Sequence, residues 1–393
     1  MKRVYQILIF ITFLSISLFF SSPLHAAEGL KFGDTDIEII PWGEIQLQYD
    51  DNVFLDSSDE KDDFIVTLTP GIALEWPFSD HLFRLDYHIG YSKYMDNSSQ
   101  DATSHYLSGD LDLDWRDVDF TIYDEFSYTY ERPSTEDTDR VKRADNRAGI
   151  KAKLQRERLG IHLGYENFIR DYRSEDTYDV YDRKEHIYSF MVTHRTFPKT
   201  DLLFEYDFAQ VRYDDNSVRS DSDYHQFLVG AIGELTPKTT ATIKTGLMLR
   251  DYEDAGSTDF DSGVLYAEVM HKFSDKDALK LSASRTAHES TYSTNNFYKA
   301  ENVSATYDHY FTPKLLGFLT GLYQINSYPT ETTEGGETKK REDSYSSLGA
   351  GLNYYMKEWL TMTFRIDHIV RDSNFGIFDY DQNVVTLSAR AEF

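Results

Sequence analysis

The chain has 393 residues, and its 67 Asp and Glu against 40 Lys and Arg give a formal net charge of −27. A chain this acidic repels a nucleic-acid backbone, while its 26 Phe, 29 Tyr and 4 Trp are too many for a disordered acidic chain. The absence of Cys excludes disulfide frameworks, Cys-ligated metal sites and thiol nucleophiles.

The first 27 residues have the pattern of a secretory signal peptide. Lys2 and Arg3 form a basic start, and an uncharged, mainly apolar run follows from Val4 to Phe20. Small residues then lead to a cleavage point near Ala26 or Ala27. The alternative is an uncleaved membrane anchor, but Pro23 follows the apolar run almost at once, and spanning requires about 20 apolar residues. The chain is therefore predicted to be exported.

After the signal peptide, the sequence alternates with a period of two. Phe83, Leu85 and Tyr87 are separated by Arg84 and Asp86, which is the pattern of a β-strand with one apolar and one polar face. The same alternation returns at 159–165, 202–208, 265–269 and 360–366, with little helical periodicity between these segments. The chain is predicted to be all-β.

Two kinds of connection separate the predicted strands. Short turns recur, and those that begin at Phe197, Leu235, Phe273 and Phe311 are spaced by 38 residues, which indicates a repeated hairpin unit. Eight such turns alternate with nine longer, mostly acidic loops, so that seventeen connections join eighteen strands; sixteen strands are the alternative. The longer loops are predicted at 50–63, 95–103, 131–142, 171–185, 213–223, 251–261, 290–297, 328–343 and 371–381.

An exported sheet of this size is predicted to close on itself as a transmembrane, antiparallel, up-and-down β-barrel in the bacterial outer membrane. In a bilayer every backbone donor and acceptor must be paired within the sheet, and closure removes the edges. We expect residues 28–43 to form a short periplasmic segment and residues 44–393 to form the barrel, with short turns on the periplasmic side. Aromatic residues expected in its interfacial girdles are Tyr91, Tyr94, Tyr128, Tyr130, Phe197, Phe273, Phe311 and Tyr354.

Two positions conflict with a regular pattern. Pro70 lies inside the second predicted strand, where it cannot donate a ladder hydrogen bond, and the segment 69–71 is interpreted as a β-bulge. Asp124 falls on the apolar side of its strand, which leaves two registers open for that strand.

The end of the chain places Val385, Leu387, Ala389 and Ala391 on one side of a strand that finishes at Phe393. A terminal Phe in such a strand resembles the signal by which outer-membrane barrels are recognised by the barrel assembly machinery. The assembly machinery and outer-membrane lipids are therefore expected partners, and nucleic acid is not.

The segment 41–76 resembles the start of the β-barrel porin type 2 family. The resemblance lies in the motif Tyr49-Asp50-Asp51-Asn52-Val53-Phe54, followed by Asp63 and by Thr69-Pro70-Gly71. Members of this family are often associated with bacterial exopolysaccharide export. The resemblance implies an outer-membrane pore, with a secreted polysaccharide and a separate periplasmic export partner as expected partners. The alternatives are a general diffusion porin and a structural or surface-binding barrel without transport.

In each predicted strand, the residues that alternate with the apolar ones face the lumen. Basic and acidic side chains share this inward face. Arg147, Lys151 and Lys153 share one strand face beside His162 and Arg170 of the next strand, and we hypothesise that this wall guides an anionic polymer. The alternative is that these bases pair with lumen acids across neighbouring strands. The full set of predicted lumen-lining basic residues is Arg84, Arg147, Lys151, Lys153, His162, Arg170, Arg195, Lys244, Arg250 and Arg365.

Neither a metal site, a cofactor nor catalysis is predicted. The loop 50–63 carries seven acids and one Lys, but its spacing does not match a calcium-binding EF-hand loop, and a solvated acidic loop is the simpler interpretation. The sequence contains no HExxH, P-loop or GxSxG motif. His288 and Ser290 lie near each other without a visible third partner.

Overall fold

The computed structural model describes residues 29–33, 35–173, 178–216, 219–254, 257–292 and 295–393, so the predicted signal peptide lies outside the described residues. Nineteen strands are present in these ranges. They are β1 (Leu30–Lys31), β2 (Glu38–Asp50), β3 (Asp63–Phe78), β4 (His81–Tyr94), β5 (Ala102–Trp115), β6 (Val118–Glu131), β7 (Val141–Arg156), β8 (Leu159–Tyr172), β9 (Arg183–Phe197), β10 (Thr200–Tyr213), β11 (Ser222–Thr236), β12 (Thr239–Tyr252), β13 (Phe260–Lys272), β14 (Asp277–Glu289), β15 (Phe297–Thr312), β16 (Leu315–Glu334), β17 (Glu337–Lys357), β18 (Leu360–Ser373) and β19 (Tyr380–Glu392).

Strands β2 to β19 form one closed barrel of eighteen strands. Each strand pairs antiparallel with the next one in the chain, and β19 pairs with β2 from Val384 opposite Asp50 to Glu392 opposite Trp42. Closure leaves no free edge, as a sheet in a bilayer requires. The predicted fold and the count of eighteen strands are confirmed, and sixteen is wrong. Below, the turn end of the barrel is the end that carries the short turns, and the loop end is the opposite one.

Large apolar side chains cover the outside of the barrel. Leu47, Leu163, Leu247 and Leu348 are among the many that remain exposed, because their faces lack a protein neighbour and are free to contact lipid. The predicted girdle residues Tyr91, Phe197, Phe273, Phe311 and Tyr354 are exposed as well. The prediction for Tyr94 is wrong: this ring is buried and packs against Val53 and Ile65, beneath an inward-folded loop.

Two local predictions near the start of the barrel differ from the structure. β2 and β3 keep one register across Pro70, which pairs with Gly43, so 69–71 is not a bulge. The pairing of β3 with β4 instead skips Thr69 and Pro70 and resumes in the same register at Gly71, since the proline has no N–H to donate. In addition, β2 begins at Glu38, ahead of the boundary placed at residue 44.

The connection predicted as a loop at 328–343 is a hairpin. β16 continues to Glu334 and β17 starts at Glu337, so the two strands extend beyond the barrel wall. Gly335 and Gly336 form the turn with φ of 61° and 87°, a conformation that glycine adopts without a steric penalty. The two consecutive glycines were the sequence signal for this hairpin.

Buried apolar side chains form four small clusters rather than one core. Three of them join lumen-facing strand residues at the loop end to inward-folded loop residues, as where Leu55 packs with Tyr345, Ile369 and Tyr380, and the fourth consists of residues of β11 to β15. The described helices are three single 3-10 turns, at Ser98–Gln100, Asp179–Tyr181 and Gly376–Phe378. None of the described helices has the length and apolarity needed to cross a membrane.

Candidate functional site: the lumen and its inner strap

The lumen is filled at the loop end and open at the turn end. At the loop end the side chains of Arg341 and Asp343 form an ion pair with exposures of 1% and 0%. Near the turn end, Arg84 and Asp110 form an ion pair whose side chains are 42% and 30% exposed. Since both pairs point into the barrel, the difference shows that the loops fill the lumen from one side only.

One connection crosses the lumen. Residues 132–140, between β6 and β7, fold inward and contact β16, β17 and β18, which lie about half-way round the ring; we call this segment the inner strap. Thr135 Oγ1 accepts hydrogen bonds from Gln324 (3.1 Å) and Asn326 (3.3 Å), both buried on β16. At its ends, Arg132 donates to the Val53 carbonyl oxygen (2.8 Å) and Arg140 to the Tyr94 hydroxyl.

Two buried arginines hold the main chain of the inner strap. Arg371 Nη1 donates to the carbonyl oxygens of Thr135 (3.0 Å) and Glu136 (3.2 Å), and Arg341 Nη2 donates to that of Glu136 (3.3 Å). Both guanidinium groups lie against the ring of Phe378, at 5.9 and 3.8 Å from its centroid. Charged donors in a site closed to water make strong hydrogen bonds, so these arginines fix the inner strap across the lumen.

The side chain of Glu136 ties the inner strap to a third loop. Its carboxylate accepts hydrogen bonds from the Ser290 hydroxyl and from the Thr291 main-chain N–H (2.8 Å) and hydroxyl (3.0 Å). Burial, followed by the neighbouring Asp137 carboxylate, raises the pKa of Glu136 to about 7, against the lowering effect of these hydrogen bonds and of Arg341. Glu136 therefore titrates near neutral pH inside the closed mouth. The hydroxyl of Ser290, the residue noted in the sequence beside His288, serves as a donor to this carboxylate.

The Asp50–Asn52 part of the sequence motif organises the seam where β2 meets β19. Asp50 accepts two hydrogen bonds from Gln382 (2.8 and 2.9 Å) and one from the Asn52 main-chain N–H (3.1 Å). Asn52 in turn donates to the Asp381 carbonyl oxygen (2.9 Å). These contacts fold the β2–β3 loop inward, where Val53 receives the hydrogen bond of Arg132.

At the turn end of the same seam, Trp42 lies over Gly71. Its indole N–H donates to Asp86 (2.9 Å), and the Arg390 guanidinium stands 3.9 Å from its ring centroid. A Cβ on Gly71 would lie 2.2 Å from the indole, so the glycine is required where the ring crosses the strand. The motif that carries the family resemblance thus joins the first and last strands of the barrel.

The predicted lumen bases are distributed around the wall from β4 to β18. Seven of them form ion pairs with lumen acids: Arg84 with Asp110 and Asp112, Arg147 with Glu166, Arg170 with Asp145, Arg195 with Asp201, Lys244 with Glu205, Arg250 with Glu289, and Arg365 with Asp367. Lys151 instead lies over the Tyr123 ring at 4.5 Å, and Lys153 is opposite His162 in the β7–β8 ladder. Lys151, Lys153 and His162 form no ion pair with another described residue.

Two other predicted positions can be located. The main-chain N–H of Phe393 donates to the Pro41 carbonyl oxygen (2.9 Å), and its ring stacks on Trp359 with centroids 5.6 Å apart, at the turn end. The loop 50–63 turns Asn52, Val53 and Leu55 inward and leaves residues 56–62 exposed. The described part of the chain contains no group of three or more His, Asp or Glu able to hold a metal ion.

A closed barrel with an apolar outer face, a polar lumen and inward-folded loops is an outer-membrane pore protein. Residues 22–393 match the family model described as Putative beta-barrel porin 2, and the chain belongs to that family. The protein is located in the bacterial outer membrane. A search of curated proteins gives no match.

Solved porin structures share the fold of this chain. OpdK from Pseudomonas aeruginosa is 12% identical, with a TM-score of 0.53 over 91% of this chain and 99% of that chain. The BenF-like porin from Pseudomonas fluorescens Pf-5 is 10% identical, with a TM-score of 0.51 over 91% and 99% of the two chains. OccK2 (OpdF) from Pseudomonas aeruginosa is 11% identical, with a TM-score of 0.50 over 91% and 98%. At these identities the likeness concerns the fold alone.

Proposed function

We propose that the protein is a passive pore for small hydrophilic solutes and that the inner strap forms its narrowest point. The observation that supports this function is the path of residues 132–140 across the lumen, held by Arg341 and Arg371 on the far wall. On this proposal, solutes pass beside the fixed segment when its contacts loosen, and no single wide channel is present. The ion-paired lumen carries little unbalanced charge, which suits neutral solutes and small ions of either sign.

The test is liposome swelling with a series of neutral sugars of increasing size. Wild-type protein is expected to admit monosaccharides faster than larger oligosaccharides. A variant lacking the six residues 133–138 is expected to admit the larger sugars several-fold faster. The matched control lacks the six residues 333–338, at the tip of the β16–β17 hairpin outside the barrel wall. An unchanged size limit after removal of the inner strap would contradict the proposal.

A conduit for secreted exopolysaccharide is the second candidate function. The turn end of the lumen, where a polymer arriving from the periplasm would enter, is the open end, and the exposed Lys151 and Lys153 stand on its wall. An extended polymer would need the inner strap to move aside. Current recordings with an anionic polysaccharide on the turn side distinguish the two functions: blockade that depends on Lys151 and Lys153 supports the conduit, and unchanged current through the strap-deleted pore supports the diffusion pore.

A further inference from the structure

A carboxyl group lies in the middle of the lipid-facing surface. Asp124 is outward-facing and exposed, six residues after the first residue of β6 and seven before the last, with the exposed Ile122 and Phe126 on either side. Gly109 of β5 and Ala148 of β7 are directly opposite it in the ladder. Among outward-facing Asp, Glu, Lys and Arg of the eighteen described barrel strands, only Asp124 and Glu342 lie more than four residues from both strand ends, and Glu342 stands on the part of β17 beyond its pairing with β18. Of the two registers that the sequence left open for β6, the structure has the one that places Asp124 on the outward, apolar side.

The carboxyl group has one polar partner within the barrel. Asn146 of β7 donates from Nδ2 to Asp124 Oδ1 at 3.0 Å, and its amide also lies 3.5 Å from the Glu125 carbonyl oxygen, a long contact. Among described residues, neither Asp124 Oδ2 nor Asn146 Oδ1 has a hydrogen bond. A polar group that faces hydrocarbon without all of its hydrogen bonds raises the free energy of the folded protein. In membrane proteins such residues usually face another protein surface.

Small side chains border this pair on β5 and β7, whereas Ile122 and Phe126 flank it on β6. On β7, Ala144, Ala148 and Ala152 face outward near Asn146, with the larger Ile150 between the last two, and Gly109 borders the pair on β5. Small side chains allow two membrane-embedded surfaces to approach closely enough for interhelical or interstrand hydrogen bonds to form. We call Gly109, Asp124, Ala144, Asn146 and Ala148 the outer patch.

We propose that the outer patch is the contact surface for a second copy of this chain, packed about a two-fold axis. The Asp124–Asn146 pair holds one acceptor group and one donor group side by side, so that it is complementary to itself when rotated by a half-turn. In the dimer, Asn146 of each copy donates its second amide hydrogen to Asp124 Oδ2 of the other. The two bonds form together, because the axis relates one to the other. The inference concerns assembly and is independent of what passes through the lumen.

The first test uses single cysteines, which the natural chain lacks. Ala148→Cys stands within the outer patch, and Ala283→Cys is a matched outward-facing alanine on β14, nearly opposite in the ring. In outer membranes treated with a short bis-maleimide, A148C is expected to give a band of twice the chain's mass and A283C to remain single. No double-mass band at Ala148, or equal bands at both positions, would overturn the proposal, leaving lipid or another membrane protein over the patch.

The second test asks whether the polar pair holds the copies together. Adding Asp124→Leu to A148C is expected to reduce the cross-linked fraction about tenfold, as loss of one to two buried hydrogen bonds implies. Retained heat-modifiable mobility on gels shows that the barrel is folded. The control is Asp251→Leu, an exposed outward acid at the loop end of β12, with an unchanged cross-linked fraction. An equally strong band in the folded Asp124→Leu variant would contradict the role assigned to the pair.

Discussion

At the scale of a single residue, Gly71 is constrained by the aromatic ring that packs against it. The Trp42 indole occupies the space where a Cβ of residue 71 would lie, and it is held there by its hydrogen bond to Asp86 and by the Arg390 guanidinium on its ring. The ring cannot move aside without breaking one of these contacts. Gly71 therefore serves a packing role in the β2–β3 hairpin, and its φ is not in the left-handed region.

Replacing Gly71 by Ala is expected to destabilise the barrel by about 1–3 kcal/mol, the usual cost of forcing an extra carbon into a filled site. The matched control is Gly43→Ala on the neighbouring strand, where the nearest atom to a new Cβ is 3.9 Å away. The measurement is urea-induced unfolding of detergent-folded protein followed by tryptophan fluorescence. Equal midpoints for G71A and G43A would show that the Trp42 ring is free to shift.

At the scale of a single element, the inner strap combines a fixed path with a titratable contact. Its main chain is held by Arg341 and Arg371, whereas the link to the β14–β15 loop runs through the Glu136 carboxyl and residues Ser290 and Thr291. Burial raises the pKa of Glu136 and also that of Asp137. The contact is consequently sensitive to pH in a range where the arginine contacts are not.

We expect conductance to fall as the pH is lowered through about 7. The closed strap binds a proton on Glu136 below this value, whereas a released strap binds it only near the ordinary Glu pKa of about 4.5. Protons therefore favour the closed strap increasingly as the pH falls from about 7 to about 4.5, and the gain is complete below the lower value. Planar-bilayer conductance between pH 5 and pH 8 measures this change.

The Glu136→Gln variant tests the assignment of that pH dependence. The amide has the size of a neutral carboxyl, so low conductance is expected at every pH. Asp59→Asn, on the exposed part of the β2–β3 loop, is the control and should keep the wild-type profile. A wild-type profile in E136Q would mean that another group controls the strap.

The strands were predictable from the sequence, and the inner strap was not. Alternation between lipid and water acts on every strand residue, so a period of two is visible in Phe83, Leu85 and Tyr87 without any knowledge of neighbours. The inner strap depends on contacts between Glu136 and Thr291, and between Thr135 and Arg371, residues more than 150 positions apart. No local pattern at 132–140 distinguishes an inward-folded loop from a solvated one.

For the lumen bases, the sequence predicted the face of the strand but not the contacts. The alternation of apolar and polar residues was enough to assign Arg147 and Lys244 to the inner face, since it depends on the strand alone. Which acid each base contacts depends on register and on the neighbouring strand, as for Arg147 with Glu166 and Lys244 with Glu205. The cationic wall proposed from the sequence remains a prediction for Lys151, Lys153 and His162.

For the whole molecule, the decisive pairing joins two strands that are 330 or more residues apart in the chain. The β2–β19 ladder contains nine residue pairs, and the loop-end contacts of Asp50 and Asn52 with Gln382 and Asp381 extend it. Closure converts an open sheet with two edges into a ring in which every strand has two neighbours. The ring is therefore complete only when β2 and β19 are paired, and the motif residues of β2 belong to this closing pair.

Closure predicts a specific covalent cross-link. Ile45 and Ala389 are directly opposite in the β2–β19 ladder and both face outward, and such pairs have Cβ atoms about 5 Å apart. The double variant Ile45→Cys/Ala389→Cys, treated with a short bis-maleimide, is expected to become a circular polypeptide that migrates faster than the untreated chain after full denaturation. Ile45→Cys/Ala305→Cys places the second thiol on β15 and should give no shift. Since the natural chain has no Cys, only the introduced thiols react, and absence of the shift at 45 and 389 would show that the ring is open.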